Sequence, residues 1–351
     1  MKRGELMKRS RRSAFAVGAA AETPGQNTSR SGSPAHAEGN GRFWPDGVRL
    51  VVSISMQLEA GAQAERGAES PFPRIDPHYP DLPVGKWYEY GFKEGIPRLL
   101  DLFDRRRVKV TSHMVGAAVD RNPELAKEIV QRGHEASGHG QSWTPQYSMS
   151  PDQERASYEE SIQSIVRATG ARPVGFNAFW MRGTPHTLEI LQDLGFIYHI
   201  DDLSRDEPFL VTVRGKPFVV VPYTLGMNDI QVYEARNFST EAYAADLKNE
   251  FDLLYAEAGS RRRMMSVSAH DRIAGRPART KVLEDFIIHA QKHRGVAFLR
   301  KDEIARFAMS SPLTVREGGD LTPENEATPA SVGQGATVTS PMSTRPPFGS
   351  A

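Results

Sequence analysis

The sequence predicts an α/β fold, a distorted (β/α) barrel of about seven parallel strands in a single domain. Strand-like and helix-like segments alternate through residues 43–309, whereas residues 1–42 and 310–351 are rich in small, polar and proline residues. No glycine-rich phosphate-binding motif follows the first strand, so neither dinucleotide nor nucleoside-triphosphate binding is indicated. We therefore expect a closed barrel rather than an open sheet.

The predicted strands are apolar, β-branched runs, a pattern typical of strands that are buried on both faces. The first is the clearest, because residues 48–56 carry three valines, an isoleucine, a leucine and a methionine. In chain order the predicted strands are residues 48–56, 108–111, 173–180, 196–200, 218–221, 264–269 and 296–299.

The predicted helices are recognised by their start and stop residues and by apolar spacing. Ser150 and Gln153 form a capping box, and Gly170 ends the helix that follows. Proline after a capping residue starts two more helices, and Ser239 caps a long one. In chain order the predicted helices are residues 96–103, 123–132, 151–169, 185–194, 240–254 and 279–293.

The composition excludes several classes of protein. The 351 residues include no cysteine, which rules out disulfides, iron–sulfur clusters, thiolate zinc sites and a cysteine nucleophile. The 44 basic and 43 acidic side chains nearly cancel, which argues against a nucleic-acid partner. No apolar run approaches the roughly 18 residues that a membrane span requires.

The two ends are predicted to lie outside the domain. In residues 1–42, Ser10-Arg11-Arg12 precedes a short apolar run that ends in three alanines, a pattern similar to a twin-arginine export signal. A disordered basic leader on a cytoplasmic protein is our main expectation, and export to the periplasm is the alternative. Residues 310–351 are predicted to be a disordered tail.

Polar and ionisable residues recur at one end of nearly every predicted strand. Each alone is more often a loop hydrogen-bonder than a catalyst, but in a barrel the carboxyl ends of the strands together form the active site. The residues concerned are Gln57, Glu59, His134, Glu135, His139, Trp143, Asn177, Trp180, Arg182, Asp201, Asp202, Asp206, Tyr223, Asn228, Asp229, His270, Asp271 and Arg272.

This arrangement resembles the polysaccharide deacetylase (carbohydrate esterase) superfamily over about residues 43–308. The first family motif pairs an acidic base with an acidic metal ligand, and Gln57 and Glu59 stand in those places. The second motif has two histidines four residues apart, and His139 and Trp143 stand there. The resemblance implies a hydrolase that acts on carbon–nitrogen bonds other than peptide bonds.

Two further matches concern the later part of the chain. Residues 177–182 loosely match the family's loop of arginine and aromatic residues, and His270 matches the histidine that acts as general acid. Residues 218–229 and 266–279 look like the branch of the superfamily that contains the cofactor-independent allantoinases. That branch also has an amide in the first place and a tryptophan in the second.

The two departures from the family pattern bear on the cofactor. A tryptophan cannot ligate a cation, so Trp143 removes one expected metal ligand, and the neutral amide of Gln57 cannot act as a base. We therefore expect operation without a cofactor. If zinc or another divalent metal is bound instead, Glu59 and His139 would hold it, with His134 or an aspartate of residues 201–206.

Roles for the predicted site residues follow from what a metal-free amide hydrolysis needs. Glu59 or Asp202 would activate water, and His270 would protonate the leaving nitrogen. The predicted catalytic residues are Glu59, His139, His270 and Asp202. The predicted substrate-binding residues are Gln57, Trp143, Asn177, Trp180, Arg182, Tyr223 and Asn228. Oxyanion stabilisation is assigned to His139, Arg182 or backbone N–H groups.

Three functions remain open at this point. The first is hydrolysis of a small amide, a cyclic ureide or an N-acetylated sugar. The second is metal-dependent deacetylation of a polysaccharide or chitooligosaccharide. The third is a non-catalytic relative that binds a sugar or metabolite. A relative that had lost its activity would be expected to lack the base and one ligand histidine, as this sequence does. A homo-oligomer is a further expectation.

Overall fold

The computed structural model describes residues 43–320, except for residues 65 and 77 and the side chains of residues 319 and 320. The predicted leader and residues 321–351 of the predicted tail lie outside the described residues. None of the helices in the described part of the chain is both long and apolar enough to cross a membrane.

The described strands form one mostly parallel sheet of ten strands, flanked by helices, which confirms the α/β fold class. The strands are β1 (Leu50–Leu58), β2 (Thr111–Met114), β3 (Glu135–Gly138), β4 (Gly175–Phe176), β5 (Tyr198–His199), β6 (Phe209–Val213), β7 (Lys216–Val220), β8 (Met264–His270), β9 (Val296–Phe298) and β10 (Val315–Asp320).

The helices fill the crossovers between the parallel strands. They are α1 (Leu82–Tyr90), α2 (Ile96–Arg106), α3 (Gly116–Arg121), α4 (Pro123–Gln131), α5 (Pro151–Thr169), α6 (Thr187–Asp193), α7 (Thr240–Glu257), α8 (Pro277–Gln291) and α9 (Lys301–Ser310). A single turn of π-helix, Gly91–Gly95, joins α1 to α2.

The sheet curves round to approach itself. Its strand order is β10-β6-β7-β5-β4-β3-β2-β1-β8, with β9 also paired to β1, and the only antiparallel pair among the described strands is β6 with β7. A parallel bridge between Asn228 and Ser268 joins the segment after β7 to β8. This bridge connects two parts of the parallel sheet that are far apart in the strand order, as a distorted barrel requires.

β1 lies at the centre of this arrangement and is buried along its whole length. It pairs with β2, β8 and β9, and all its apolar side chains except Val51 pack with those of α2, α7 and α8 in the largest core cluster. Because β1, β2 and β8 are parallel, their carboxyl ends meet at one edge, where Gln57 is in register with His113 and His270.

Two of the predicted N-terminal helix caps are present in the structure, and one predicted helix start is displaced. Ser150 and Gln153 make both bonds of the predicted capping box, and Ser239 accepts a hydrogen bond from the N–H of Ala242. The predicted start at Pro185, with Thr184 as its cap, is wrong by two residues, because the Thr184 hydroxyl donates to Glu154 and α6 begins at Thr187. A longer-range partner for the threonine overrides the local signal.

Three strands differ from the predictions. β3 begins at Glu135, so His134 and Glu135 lie at the start of a strand and not after one. β6 was not predicted; it forms a hairpin with β7 through Arg214 and Gly215, both at positive φ, and an arginine there is not a recognisable turn signal. β10 pairs with β6 inside the predicted tail, so the ordered chain passes the expected boundary at residue 309.

Candidate active site

A cleft opens where the carboxyl ends of the central strands meet, with about 330 Å³ of open space. It is lined by Gln57, Glu59, His139, Trp143, Asn177, Ala178, Trp180, Met181, Tyr223, Asn228, Ile230 and His270. The structure therefore brings together all the predicted site residues except Arg182 and Asp202, and it draws them from five separate stretches of the chain.

Strand geometry explains why Gln57 and Glu59 reach the same cleft. Alternate residues of an extended chain point to the same face; Gln57 is the last but one residue of β1, and Glu59 directly follows the strand. The carboxylate of Asp271 accepts hydrogen bonds from the backbone N–H groups of Glu59 and Ala60, at 3.0 and 2.8 Å. The loop after β8 thus fixes the end of β1.

Glu59 is fully buried and surrounded by cationic or ionisable groups. Its Oε1 lies 3.5 Å from His139 Nε2 and 3.4 Å from His270 Nε2, and its Oε2 accepts from Arg272 Nη1 at 2.6 Å. Burial alone would raise the pKa of Glu59, but the charges of His270 and Arg272 outweigh it and hold that pKa well below 4.5. Glu59 is therefore an anion at neutral pH.

His270 is held between two carboxylates. Its Nδ1 donates to Asp229 at 2.6 Å, and Asp229 also accepts from the backbone N–H groups of His270 and Ala274. Burial would lower the pKa of His270, but the charges of Glu59 and Asp229 outweigh it and raise the pKa to about 10. His270 is therefore an imidazolium at neutral pH, a form that can donate a proton.

His139 is oriented by the backbone rather than by an acid. Its Nδ1 lies 2.6 Å from the carbonyl oxygen of Asn177, which can only accept, so Nδ1 carries a proton. In the neutral ring, Nε2 then has a lone pair directed towards Glu59 Oε1. The same ring contacts the edge of Trp143, at 5.1 Å between centroids.

Two amides occupy the inner part of the cleft. Gln57 Nε2 donates to Asn177 Oδ1 at 3.4 Å, and Asn177 Nδ2 donates to Asp201 at 2.7 Å. Asp201 also accepts from the N–H of Ala178, which fixes the whole chain of bonds. Gln57 Oε1 is buried without a hydrogen-bond partner among the described residues. A buried acceptor of this kind calls for a donor from a bound molecule.

The aromatic side of the cleft includes a strained turn. Trp180 and Met181 have φ values of 52° and 58°, in the left-handed region that bulky residues seldom adopt. Trp143 packs edge-on against Phe179, at 4.6 Å between centroids. Strain of this kind in the wall of a cleft is typical of functional sites, because surrounding contacts must maintain it.

Arg182 and Asp202 lie outside the cleft, contrary to the sequence-based placement. The turn at Trp180 and Met181 leaves Arg182 exposed. The carboxylate of Asp202 accepts from the N–H and hydroxyl of Ser204 and so caps its own loop. Neither residue lines the cleft in which the water and the oxyanion of the predicted mechanism would be bound.

Two residues in contact with the site were not among the predicted catalytic residues. Arg272 and Asp229 were noted only as polar residues after strands, and sequence alone does not reveal that they contact Glu59 and His270. Their positions could have indicated this. Arg272 follows β8, which ends in His270, and Asp229 lies in the segment after β7 that is bridged to β8.

The side chains around Glu59 differ from the ligand set of the divalent metal that the family resemblance implies. Arg272 already neutralises the carboxylate, and His270 is held by Asp229 through its Nδ1. Trp143 is a donor only. A metal ion would place two further positive charges beside a buried guanidinium, with His139 as the one remaining ligand of the family's histidine pair.

Comparison with known proteins gives consistent relatives. A model of the polysaccharide deacetylase family matches residues 81–199. The chain is 28% identical to the peptidoglycan deacetylase of Helicobacter pylori over 244 residues, which are 60% of this chain and 82% of that protein.

Solved structures extend the comparison over most of the chain. A crystal structure described as a probable polysaccharide deacetylase from Pseudomonas aeruginosa PAO1 is 32% identical, with a TM-score of 0.72, covering 80% of this chain and 100% of that one. The crystal structure of Puue allantoinase is 30% identical, also with a TM-score of 0.72, covering 80% of this chain and 99% of that one.

Proposed function

Because the chain belongs to the polysaccharide deacetylase family, whose members are hydrolases of carbon–nitrogen bonds other than peptide bonds, we propose that it hydrolyses the amide of a small N-acetylated sugar or a cyclic ureide without a metal. The observation that carries this proposal is the convergence of His139 and His270 on the buried carboxylate of Glu59, inside one cleft.

The structure favours a different proton acceptor from the one that the sequence suggested. Arg272 and His270 hold the pKa of Glu59 so low that this carboxylate is a weak base. His139 offers an alternative acceptor, because its Nδ1 proton is bound to a carbonyl and the neutral form of the ring has a lone pair on Nε2. We therefore assign proton abstraction from water to His139, with Glu59 stabilising the imidazolium that forms.

His270 completes the acid–base pair. As an imidazolium held by Asp229 and Glu59, it can protonate the leaving nitrogen when the carbon–nitrogen bond breaks. Asn228 lines the same cleft, and its amide oxygen already accepts from the N–H of Ile230. Its amide nitrogen is then the group we assign to the tetrahedral oxyanion.

Substrate orientation is assigned to Gln57. Its unpartnered Oε1 can accept a hydrogen bond from the N–H of a secondary amide, and Asn177 fixes the other half of the side chain. Trp143, Trp180 and Tyr223 provide flat apolar walls against which a sugar or ureide ring can pack.

The cofactor is the point on which this proposal departs from the family. Deacetylases of the family are generally metal-dependent, so a divalent metal is plausible for the chain. The proposal of metal-free operation is supported by the donor set, in which Arg272 supplies the positive charge next to Glu59.

The cyclic ureide is the second candidate substrate. It is favoured by the likeness to Puue allantoinase over nearly the whole of that chain, and by the two adjoining amides of Gln57 and Asn177. A ureide presents several N–H and C=O groups, which such amides can bind in pairs.

A substrate panel tests the proposal. Purified protein treated with a chelator is incubated with N-acetylated sugars, chitooligosaccharides, allantoin and related hydantoins, and acetate or ring-opened product is measured. We expect turnover of at least one compound, and a loss of at least about a hundredfold in Glu59→Gln, His139→Ala and His270→Ala. Glu160→Gln, an exposed change of the same type on α5, should keep full activity.

Each contrary result has a defined meaning. Binding without turnover of any compound would favour the non-catalytic relative. Turnover only after zinc is added would contradict metal-free operation and leave the hydrolase assignment in place. Near-normal activity in one of the three variants would remove that residue from the mechanism.

A further inference from the structure

A second cluster of ionisable side chains lies on the helical layer, away from the cleft. Asp252 is on α7, His289 is in the last turn of α8, and His293 follows that helix by two residues. One ligand atom from each residue lies within 4.8 Å of the other two. α8 begins at Pro277, in the loop after His270. His289 is twelve residues beyond Pro277, so it lies about 18 Å along the helix from that loop.

The distance between two of the three ligands is close to that in a tetrahedral metal centre. His289 Nε2 lies 2.8 Å from Asp252 Oδ1. In a tetrahedral zinc site with bonds of about 2.0–2.1 Å, two ligand atoms are about 3.3 Å apart. This pair therefore has to open by only about half an ångström, which small side-chain rotations on two packed helices can provide.

His293 is already held in the tautomer that a metal needs. Its Nδ1 donates to the carbonyl oxygen of His289 at 3.0 Å, which leaves Nε2 as the atom with a lone pair. Metal-bound histidines commonly donate their other ring nitrogen in this way. The ring is also fixed by edge contacts with Phe251 and Tyr255, at 4.9 and 5.0 Å between centroids.

We propose that Asp252, His289 and His293 form a binding site for a divalent transition metal, zinc in the first instance, that joins α7 to α8. Two imidazoles and one carboxylate are ligands that zinc prefers, and the partial exposure of all three leaves a fourth position for water. The site plays no part in the proposed hydrolysis.

Zinc titration of the full chain tests this site directly. Metal-stripped protein is titrated with zinc by calorimetry, in the absence of any substrate. We expect one zinc per chain, and an affinity at least about tenfold weaker in both His289→Ala and Asp252→Asn. His186→Ala, which removes a histidine outside both sites, should bind zinc as the original chain does.

Thermal unfolding gives a second readout. Saturating zinc should raise Tm in the original chain and in His186→Ala, but not in the two site variants. Hydrolysis by the Asp252→Asn variant should be unchanged, which shows that the variant is folded.

Two results would overturn the proposal. One is the absence of zinc binding at micromolar concentration, and the other is binding that survives both site variants. If His139→Ala abolishes the zinc instead, the metal is in the cleft, and the proposal of metal-free catalysis is overturned as well. Failure of the hydrolase assay alone does not affect the zinc result.

Discussion

At the residue scale, the two histidines beside Glu59 differ in the partner that holds their Nδ1 atom. The carboxylate of Asp229 accepts a hydrogen bond from His270 Nδ1, whereas a backbone carbonyl accepts one from His139 Nδ1. A carboxylate stabilises an imidazolium and a neutral carbonyl does so far less, so two similar rings beside one glutamate can act as acid and as base.

Removing the charge of Asp229 should therefore change the pH profile of the reaction. In the original chain, activity should fall as His270 loses its proton near pH 10. In Asp229→Asn, this alkaline limb should move to lower pH by at least about one unit, because one supporting charge is lost. The pH dependence of kcat measures it, with the exposed Asp101→Asn as control.

The ionisation of His270 also makes the stability of the protein depend on pH. The folded-state pKa of His270 lies above its ordinary value of 6.5, so its contribution is fully present below pH 6.5 and is lost as pH rises through about 10. The unfolding free energy should decline over that range, and it should decline less in Asp229→Asn. A profile that is identical in the two proteins would contradict the assigned partner.

Arg272 is the positioning residue for Glu59. Arg272→Gln leaves a buried carboxylate without its closest cation, which should raise the pKa of Glu59 and cost about 3–5 kcal/mol of unfolding free energy. The acidic limb of the kcat profile should shift upward, and Arg272→Lys should restore part of both losses. Urea unfolding and the pH profile measure these effects, with exposed Arg261→Gln as control.

At the element scale, glycines let the π-helical turn approach the active-site loop. A Cβ on Gly95 would lie 1.9 Å from the carbonyl oxygen of Asp271, and a Cβ on Gly275 would lie 2.3 Å from the Cα of Gly95. The segment that joins α1 to α2 thus packs directly on the backbone that holds Arg272. The sequence predicted α2 but gave no sign of this contact.

Gly95→Ala should therefore disturb both stability and catalysis. The added methyl group must displace the Asp271 backbone, and Arg272 would move with it, so both Tm and kcat should fall. Gly85→Ala on α1 is a matched control, because its Cβ meets nothing within 4 Å. That change should be neutral or slightly stabilising. Equal effects of the two changes would argue against the close packing.

At the scale of the whole molecule, the last ordered strand lies beyond the predicted boundary. β10 pairs with β6, Val315 packs against the apolar cluster that contains Phe209 and Phe218, and the buried Thr314 accepts a hydrogen bond from Arg262. The sequence of β10, with two glycines and three charged residues, has too few apolar residues to indicate a strand. Pairing with β6 is therefore what makes this segment a strand.

A pair of truncated chains tests that contribution. A chain that stops after Ser310 loses β10 and exposes the edge of β6, so its Tm should be lower by several degrees. A chain that stops after Asp320 should unfold at the temperature of the full chain. Indistinguishable Tm values for the two truncated chains would show that β10 adds no stability.

The sequence by itself determined the α/β class, the position of most strands and helices, and nine residues of one cleft, because apolar periodicity and strand order depend on local sequence. Only the tertiary structure decided which groups meet. It placed Arg272 and Asp229 against Glu59 and His270, and it left Arg182 and Asp202 outside the cleft. Charge states within a site depend on distances between residues that are far apart in the chain, and folding alone determines those distances.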